Sequence, residues 1–245
     1  ELPLGVFGVA IATVALPNLS RQRFNENPSA YGDMLIWAVR MVALVGVPST
    51  IALILLAEPI LTTLFQYGEM DAGAVYMATL SLKAYAVGLL AFMLVKVLAT
   101  GYFAREDTKT PVRIGIYAMV ANMVLNLVFV LMLHYLWQVG HVGLALATSA
   151  SACLNAALLY RGLRQTEQIP SFSVLKAFAG QLLVGILLMS MILLFGLHYW
   201  SDWSSWTVWP RIWRLMVLCV LGGGLYFGGL FVAGLRLKDL QMRSA

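Results

Sequence analysis

The chain has 245 residues, of which 61% are hydrophobic and only 11% charged, and its mean hydropathy is +0.84. Such a composition cannot cover itself with a water-soluble surface, which excludes soluble enzymes and soluble binding modules and makes lipid the solvent for most of the chain. The formal charge of +5 does not point to nucleic acid, because the basic residues are spread along the chain and form no single patch.

A bilayer core about 30 Å thick needs roughly 20 apolar helical residues. Residues 2–20 carry no charge, and a first helix there ends at Pro17-Asn18-Leu19-Ser20 before a polar connection over residues 21–33. Residues 34–57 carry only Arg40, with Pro48 in mid-span, where one lost backbone hydrogen bond predicts a kink. Glu58-Pro59 predicts an end to that helix. The apolar run that follows, residues 60–68, is too short to span and is expected to lie along the outer interface or to dip into the membrane. Residues 72–104 hold only Lys83 and Lys96 and form a third span. Arg105-Glu106-Asp107-Thr108-Lys109-Thr110-Pro111 is the most polar run of the chain, with Pro111 at the start of the next helix. Between residues 114 and 160 there is no Lys, Arg, Asp or Glu for 47 residues, enough for two spans around the break His134 to His141. Residues 177–201 and 215–235 complete seven spans.

The fold class is therefore an all-α polytopic membrane protein. Each span has to satisfy its own backbone groups in lipid, and nothing alternates with the period of a barrel strand. Arg21 and Arg23, then Arg105, Lys109 and Arg113, then Arg161, Arg164 and Lys176, then Arg236, Lys238 and Arg243 occupy every second connection. The other connections hold Glu58, Glu69 and Asp71, or His134 and His141, or Asp202, with Arg211 and Arg214 as exceptions. The positive-inside rule makes the first set cytoplasmic, so Glu1 starts outside and Ala245 ends inside, and it leaves the cluster Tyr199, Trp200, Trp203, Trp206 and Trp209 at the outer interface. The two cysteines, Cys153 and Cys219, lie within apolar spans and read as small core residues. No HExxH, CxxC, P-loop or GxSxG pattern occurs, so neither a metal nor a cofactor is expected. The chain opens on Glu1 without a basic n-region or cleavage site and reads as a fragment. The five helices within 1–160 form one unit, and 161–245 supplies two more helices and a tail.

Several stretches resemble the MurJ (MviN) family of lipid II flippases. Glu1-Leu2-Pro3-Leu4-Gly5-Val6-Phe7-Gly8-Val9-Ala10-Ile11-Ala12-Thr13-Val14-Ala15-Leu16-Pro17 is similar to its eighth transmembrane helix, and Leu64-Phe65-Gln66-Tyr67-Gly68 to an outer loop. The most specific match is Val95-Lys96-Val97-Leu98-Ala99 followed by Tyr102-Phe103-Ala104-Arg105-Glu106-Asp107-Thr108-Lys109-Thr110-Pro111-Val112, which resembles the tenth helix and the cytoplasmic loop after it. The resemblance covers nearly the whole chain and thins after Pro170. It implies helices eight to fourteen of a fourteen-helix fold of the MOP exporter superfamily: a C-terminal transport lobe without its first helix, plus two closing helices. It also implies translocation of lipid II, the undecaprenyl-diphosphate-linked peptidoglycan precursor, from the inner to the outer leaflet of the bacterial cytoplasmic membrane by alternating access. The partners implied are lipid II, membrane lipids and the missing N-terminal half, which shares the family's cationic cavity.

A diphosphate head that crosses a low-dielectric region asks for cations facing a wet cavity. Lys96 lies nine residues before Arg105, about 13 Å along a helix, within the inner part of its span; the competing reading is a lysine snorkelling to the headgroups. Arg40, seven residues after Asp33, is a second candidate within about 10 Å of the boundary. Lys83 is a third, but thirteen residues at about 100° each put it on a different helix face from Lys96. Glu1 and Pro3 are what remains of the family's Arg-x-x-Glu-x-Pro motif, so Glu1 is a candidate by resemblance alone. Arg105, Glu106, Asp107 and Lys109 are a candidate cytoplasmic gate or else a solvated loop. Asn122 and Asn126 share a helix face near Thr148 and are either a weak cation site or an interhelical hydrogen-bonding set. Two other readings stand beside the flippase: another MOP-superfamily exporter, of O-antigen lipid-linked oligosaccharide or of drugs, and a non-transporting assembly subunit. The absence of intramembrane carboxylates argues against a cationic-drug exporter. A membrane enzyme would need converging Asp, Glu or His groups, and only the outer-loop His134 and His141 offer themselves, so no catalysed reaction is expected.

Overall fold

A computed structural model describes residues 4–24, 28–166 and 173–236. After a π-helical turn, Leu4–Gly8, the helices are α1 (Val9–Phe24), α2 (Pro28–Phe65), α3 (Ala72–Val87), α4 (Leu89–Phe103), α5 (Lys109–Trp137), α6 (Gly140–Thr166), α7 (Ser173–Tyr199) and α8 (Val208–Val232). A 3-10 turn, Trp203–Ser205, joins α7 to α8. Taken across the junction of α3 and α4, seven helices among the described residues are long and apolar enough to cross a membrane. The protein is all-helical and multi-pass, and its long runs of exposed Leu, Val, Met and Phe are surface wetted by hydrocarbon.

Two apolar clusters hold the helices together. The first joins α1, α2, α4 and α6 through Leu19, Leu35, Val42, Met93, Val97 and Leu163. The second joins α2 to α7 and α8 through Leu44, Leu56, Leu182, Leu193, Leu218 and Leu230. Helix α2 serves both, since Val42 and Leu44 point to opposite sides. Between membrane helices, contacts of this kind and a few interhelical hydrogen bonds replace the hydrophobic drive that water would supply. Tyrosines make three of those bonds: Tyr31 Oη donates to the Gly101 carbonyl at 2.6 Å, Tyr102 Oη to Leu159 at 2.9 Å, and Tyr226 Oη to Leu44 at 2.6 Å.

The structure departs from the sequence reading at α1, which runs through Pro17 to Phe24 and leaves only residues 25–27 before α2 begins at Pro28, and at two further places. The expected break at Glu58-Pro59 is absent, and α2 runs unbroken through Pro48 and Pro59 to Phe65. Its last turns are buried at Thr62 and Thr63 and held from outside the helix, where Arg211 Nη1 donates to the Thr62 carbonyl at 3.1 Å. Residues 60–65 are therefore the end of a span and do not lie along the interface as a separate segment. The third span, in turn, is interrupted at Gly88, whose N–H bonds three residues back to Tyr85. A Cβ on Gly88 would sit 2.7 Å from Ser149 Cα, and Ser149 Oγ donates to the Ala84 carbonyl at 2.8 Å. The close approach of α6 both requires the glycine and occupies a carbonyl freed by the bend.

Candidate functional site

The cations predicted from the sequence do not converge. Lys96 is exposed on α4, although it stands one turn on from the buried Met93 and next to the buried Val97, and it has no hydrogen-bond or ion-pair partner among the described residues. Seven residues separate it from Phe103, about 10 Å of helix. Arg40 is half-buried and turned the other way, its guanidinium 5.8 Å above the Phe178 ring of α7. Lys83, eleven residues into α3, is half-buried and lines a cavity of about 370 Å³ together with Glu58. Glu1 lies outside the described residues.

The charged run after α4 has a compact backbone design. The Asp107 N–H bonds to the Tyr102 carbonyl at 3.1 Å and the Glu106 N–H to Phe103 at 3.0 Å, with Glu106 at φ 61°. This is a Schellman ending in which glutamate occupies the left-handed position usually given to glycine. Asp107 then caps α5, its Oδ1 accepting from the Thr110 N–H at 3.0 Å. The Thr110 hydroxyl and N–H hold the Asp107 carboxyl below its ordinary range. Arg105 is half-buried, while Glu106 and Lys109 are exposed. Two of the four candidate gate residues thus also shape the turn.

Helices α5 and α6 share a polar seam. Asn126 Nδ2 donates to Asn122 Oδ1 at 3.0 Å, Asn122 Nδ2 to Ser151 Oγ at 3.3 Å, and Ser151 Oγ to the Thr148 carbonyl at 2.9 Å. The Thr148 hydroxyl bonds within its own helix, to Leu144 at 2.8 Å. A separate groove of about 360 Å³ between α2, α4 and α6 is lined by Leu35, Val39, Leu90, Leu94, Cys153 and Tyr160 among others, none of them charged. Both cysteines are free thiols and both are exposed on the helix surfaces, so they are not the core residues that their apolar spans suggested.

Sequence reading passed over the role of Arg211, which is 5% exposed. Its Nε donates to the Trp203 carbonyl at 3.0 Å and its Nη2 to Ser204 at 2.9 Å, in addition to the bond to Thr62. Arg214 stacks 3.7 Å from the centroid of Trp206. The only hint in the sequence is that both arginines break the alternation of charge. Backbone carbonyls and aromatic faces disperse their charge.

The family model "Lipid II flippase MurJ" matches residues 1–213. A probable lipid II flippase MurJ from Vibrio cholerae serotype O1 is 45% identical over 98% of this chain and 45% of its own length. The lipid II flippase MurJ of Burkholderia cenocepacia is 37% identical over 100% of this chain and 46% of its own. A solved structure of a lipid II flippase MurJ in an inward closed conformation superposes with a TM-score of 0.69 at 24% identity, over 98% of this chain and 45% of that one, which bears on the fold. The chain thus spans a little under half the length of the curated relatives it matches. On the family match and the identity to these relatives, the chain belongs to the lipid II flippase MurJ family.

Proposed function

We propose that this chain is the C-terminal half of a flippase that carries lipid II, the undecaprenyl-diphosphate-linked precursor of peptidoglycan, from the inner to the outer leaflet of the bacterial cytoplasmic membrane, and that it catalyses no reaction. The observation that carries the reading is Lys96. An ammonium about 10 Å inside an apolar span costs several kcal/mol unless it faces water or an anion, and here it is exposed on α4 without a partner among the described residues. A multiply charged diphosphate has the chemistry to match it. Residues 1–160 are read as the transport lobe and 161–245 as an accessory pair. The basic helix ends and the C-terminus face the cytoplasm under the positive-inside rule. Arg40, turned toward α7, serves at most a second contact on the path, and Arg105 and Lys109 are placed to meet the other half at the cytoplasmic side.

The test expresses the complete gene with Lys96→Ala and, separately, Lys96→Arg, and measures how much lipid II becomes accessible on the outer leaflet. A drop of about tenfold or more in the alanine variant with partial recovery in the arginine variant is expected, since a lost charged contact is worth about 1.5–3 kcal/mol. Normal translocation by Lys96→Ala removes Lys96 from the mechanism and favours a non-transporting role for this half.

A further inference from the structure

We infer that the cavity between α2, α3 and α7 at the outer end binds the headgroup of a zwitterionic phospholipid carrying a primary amine, a phosphoethanolamine. Glu58 on α2 and Lys83 on α3 line the same space of about 370 Å³, walled otherwise by Ile54, Leu55, Leu197 and Trp203. Neither charge has an ion-pair or hydrogen-bond partner among the described residues, although they are opposite in sign and share one cavity. A ligand that carries both charges would satisfy the two groups at once. Lys83 lies on α3 five residues before the Gly88 interruption, and Glu58 lies seven residues before the end of α2 at Phe65, at the end of the bundle where Arg211 meets Thr62, which the positive-inside rule makes the outer one.

One wall is held by contacts outside the cavity lining. Trp203 is 3% exposed, its carbonyl is held by Arg211, and its ring packs 5.3 Å from that of Trp206. Lys83 suits the phosphate and Glu58 the ammonium. A primary ammonium offers three N–H donors to the Glu58 carboxylate, whereas a trimethylammonium offers none, and phosphatidylglycerol brings no cation at all.

The test takes the protein expressed from its complete gene, strips it of phospholipid in detergent, and reads lipid retention by native mass spectrometry. Phosphatidylethanolamine, phosphatidylcholine and phosphatidylglycerol with identical acyl chains are the probes. Phosphatidylethanolamine is expected to be retained about threefold over phosphatidylcholine, the size of effect a partly exposed charge pair gives. Glu58→Gln should erase that preference and leave phosphatidylglycerol unchanged, whereas Lys83→Met should weaken phosphatidylethanolamine and phosphatidylglycerol together. Equal retention of the three lipids, or a preference that survives in Glu58→Gln, overturns the inference. Glu58 is exposed, so its variant is informative even where Lys83→Met does not fold. Lys96 is not part of this cavity, and the lipid preference and the translocation reading can each fail alone.

Discussion

At Asp107 a single carboxylate ends one helix turn and begins the next, and its chemistry can be read without reference to transport. The Thr110 hydroxyl and N–H stabilise its ionised form, so its folded pKa lies below the unfolded value of about 3.9. A depressed carboxyl stabilises the fold at any pH above that unfolded value, and the contribution disappears as pH falls through the lower, folded value. Asp107→Ala should therefore cost about 1 kcal/mol near neutrality, the usual loss for a removed helix cap. Asp107→Asn, which retains an accepting oxygen, should cost less. Thermal unfolding in detergent between pH 3 and pH 6 checks both, and the gap between wild type and Asp107→Ala should narrow below about pH 4. The spacing of this loop was legible as charge, but its role as a cap was not. Thr110 lies only three residues on, yet the left-handed Glu106 that aims Asp107 at it has a side chain that gives no sign of positive φ.

At the scale of elements, the spans themselves were readable because bilayer thickness dictates their length, whereas their interruptions depend on partners distant in sequence. Nothing near Gly88 announces a bend; its cause is Ser149, sixty-one residues later. The glycines of α8 make the same point. Gly222 and Gly229 face α7, where added Cβ atoms would meet Leu193 at 3.1 Å and Gly185 Cα at 2.9 Å. Gly223, Gly224 and Gly228 have nothing within 4 Å. Alanine at Gly88 should force α6 away and cost about 1–3 kcal/mol, as overpacking does. Gly224→Ala should be neutral or stabilise by up to about 1 kcal/mol, the helix-propensity gain. Thermal unfolding of the two variants side by side distinguishes contact glycines from merely permissive ones. Equal losses would mean that α8 is packed on the Gly224 face as well.

For the whole molecule, the question is how the α7–α8 pair is fastened to the other helices, since α2 alone belongs to both apolar clusters. Among the described residues, Tyr226 makes a polar tie at the level of Leu44 and Arg211 another at Thr62, beside the α7–α8 connection. The angle of one ideal helix does not relate Lys83 to Lys96, because Gly88 separates α3 from α4 between them. The turning of Arg40 toward Phe178 and the bond from Arg211 to Thr62 were not foreseeable from local geometry either, since each joins segments more than a hundred residues apart. Arg211 donates to carbonyls on both the α7–α8 connection and α2, so its loss would leave Thr62, Trp203 and Ser204 to find new donors in a region with little water. Unmade hydrogen bonds of this kind cost about 1–3 kcal/mol each when buried. Arg211→Met should therefore open the pair locally at the α7–α8 connection while the α1, α2, α4 and α6 cluster stays closed. Hydrogen exchange is the appropriate measurement: protection should fall at residues 62–66 and 203–206 and remain unchanged at residues 93–98 and 156–163. A uniform fall across both regions would mean that the two clusters unfold as one unit, with Arg211 stabilising the entire bundle.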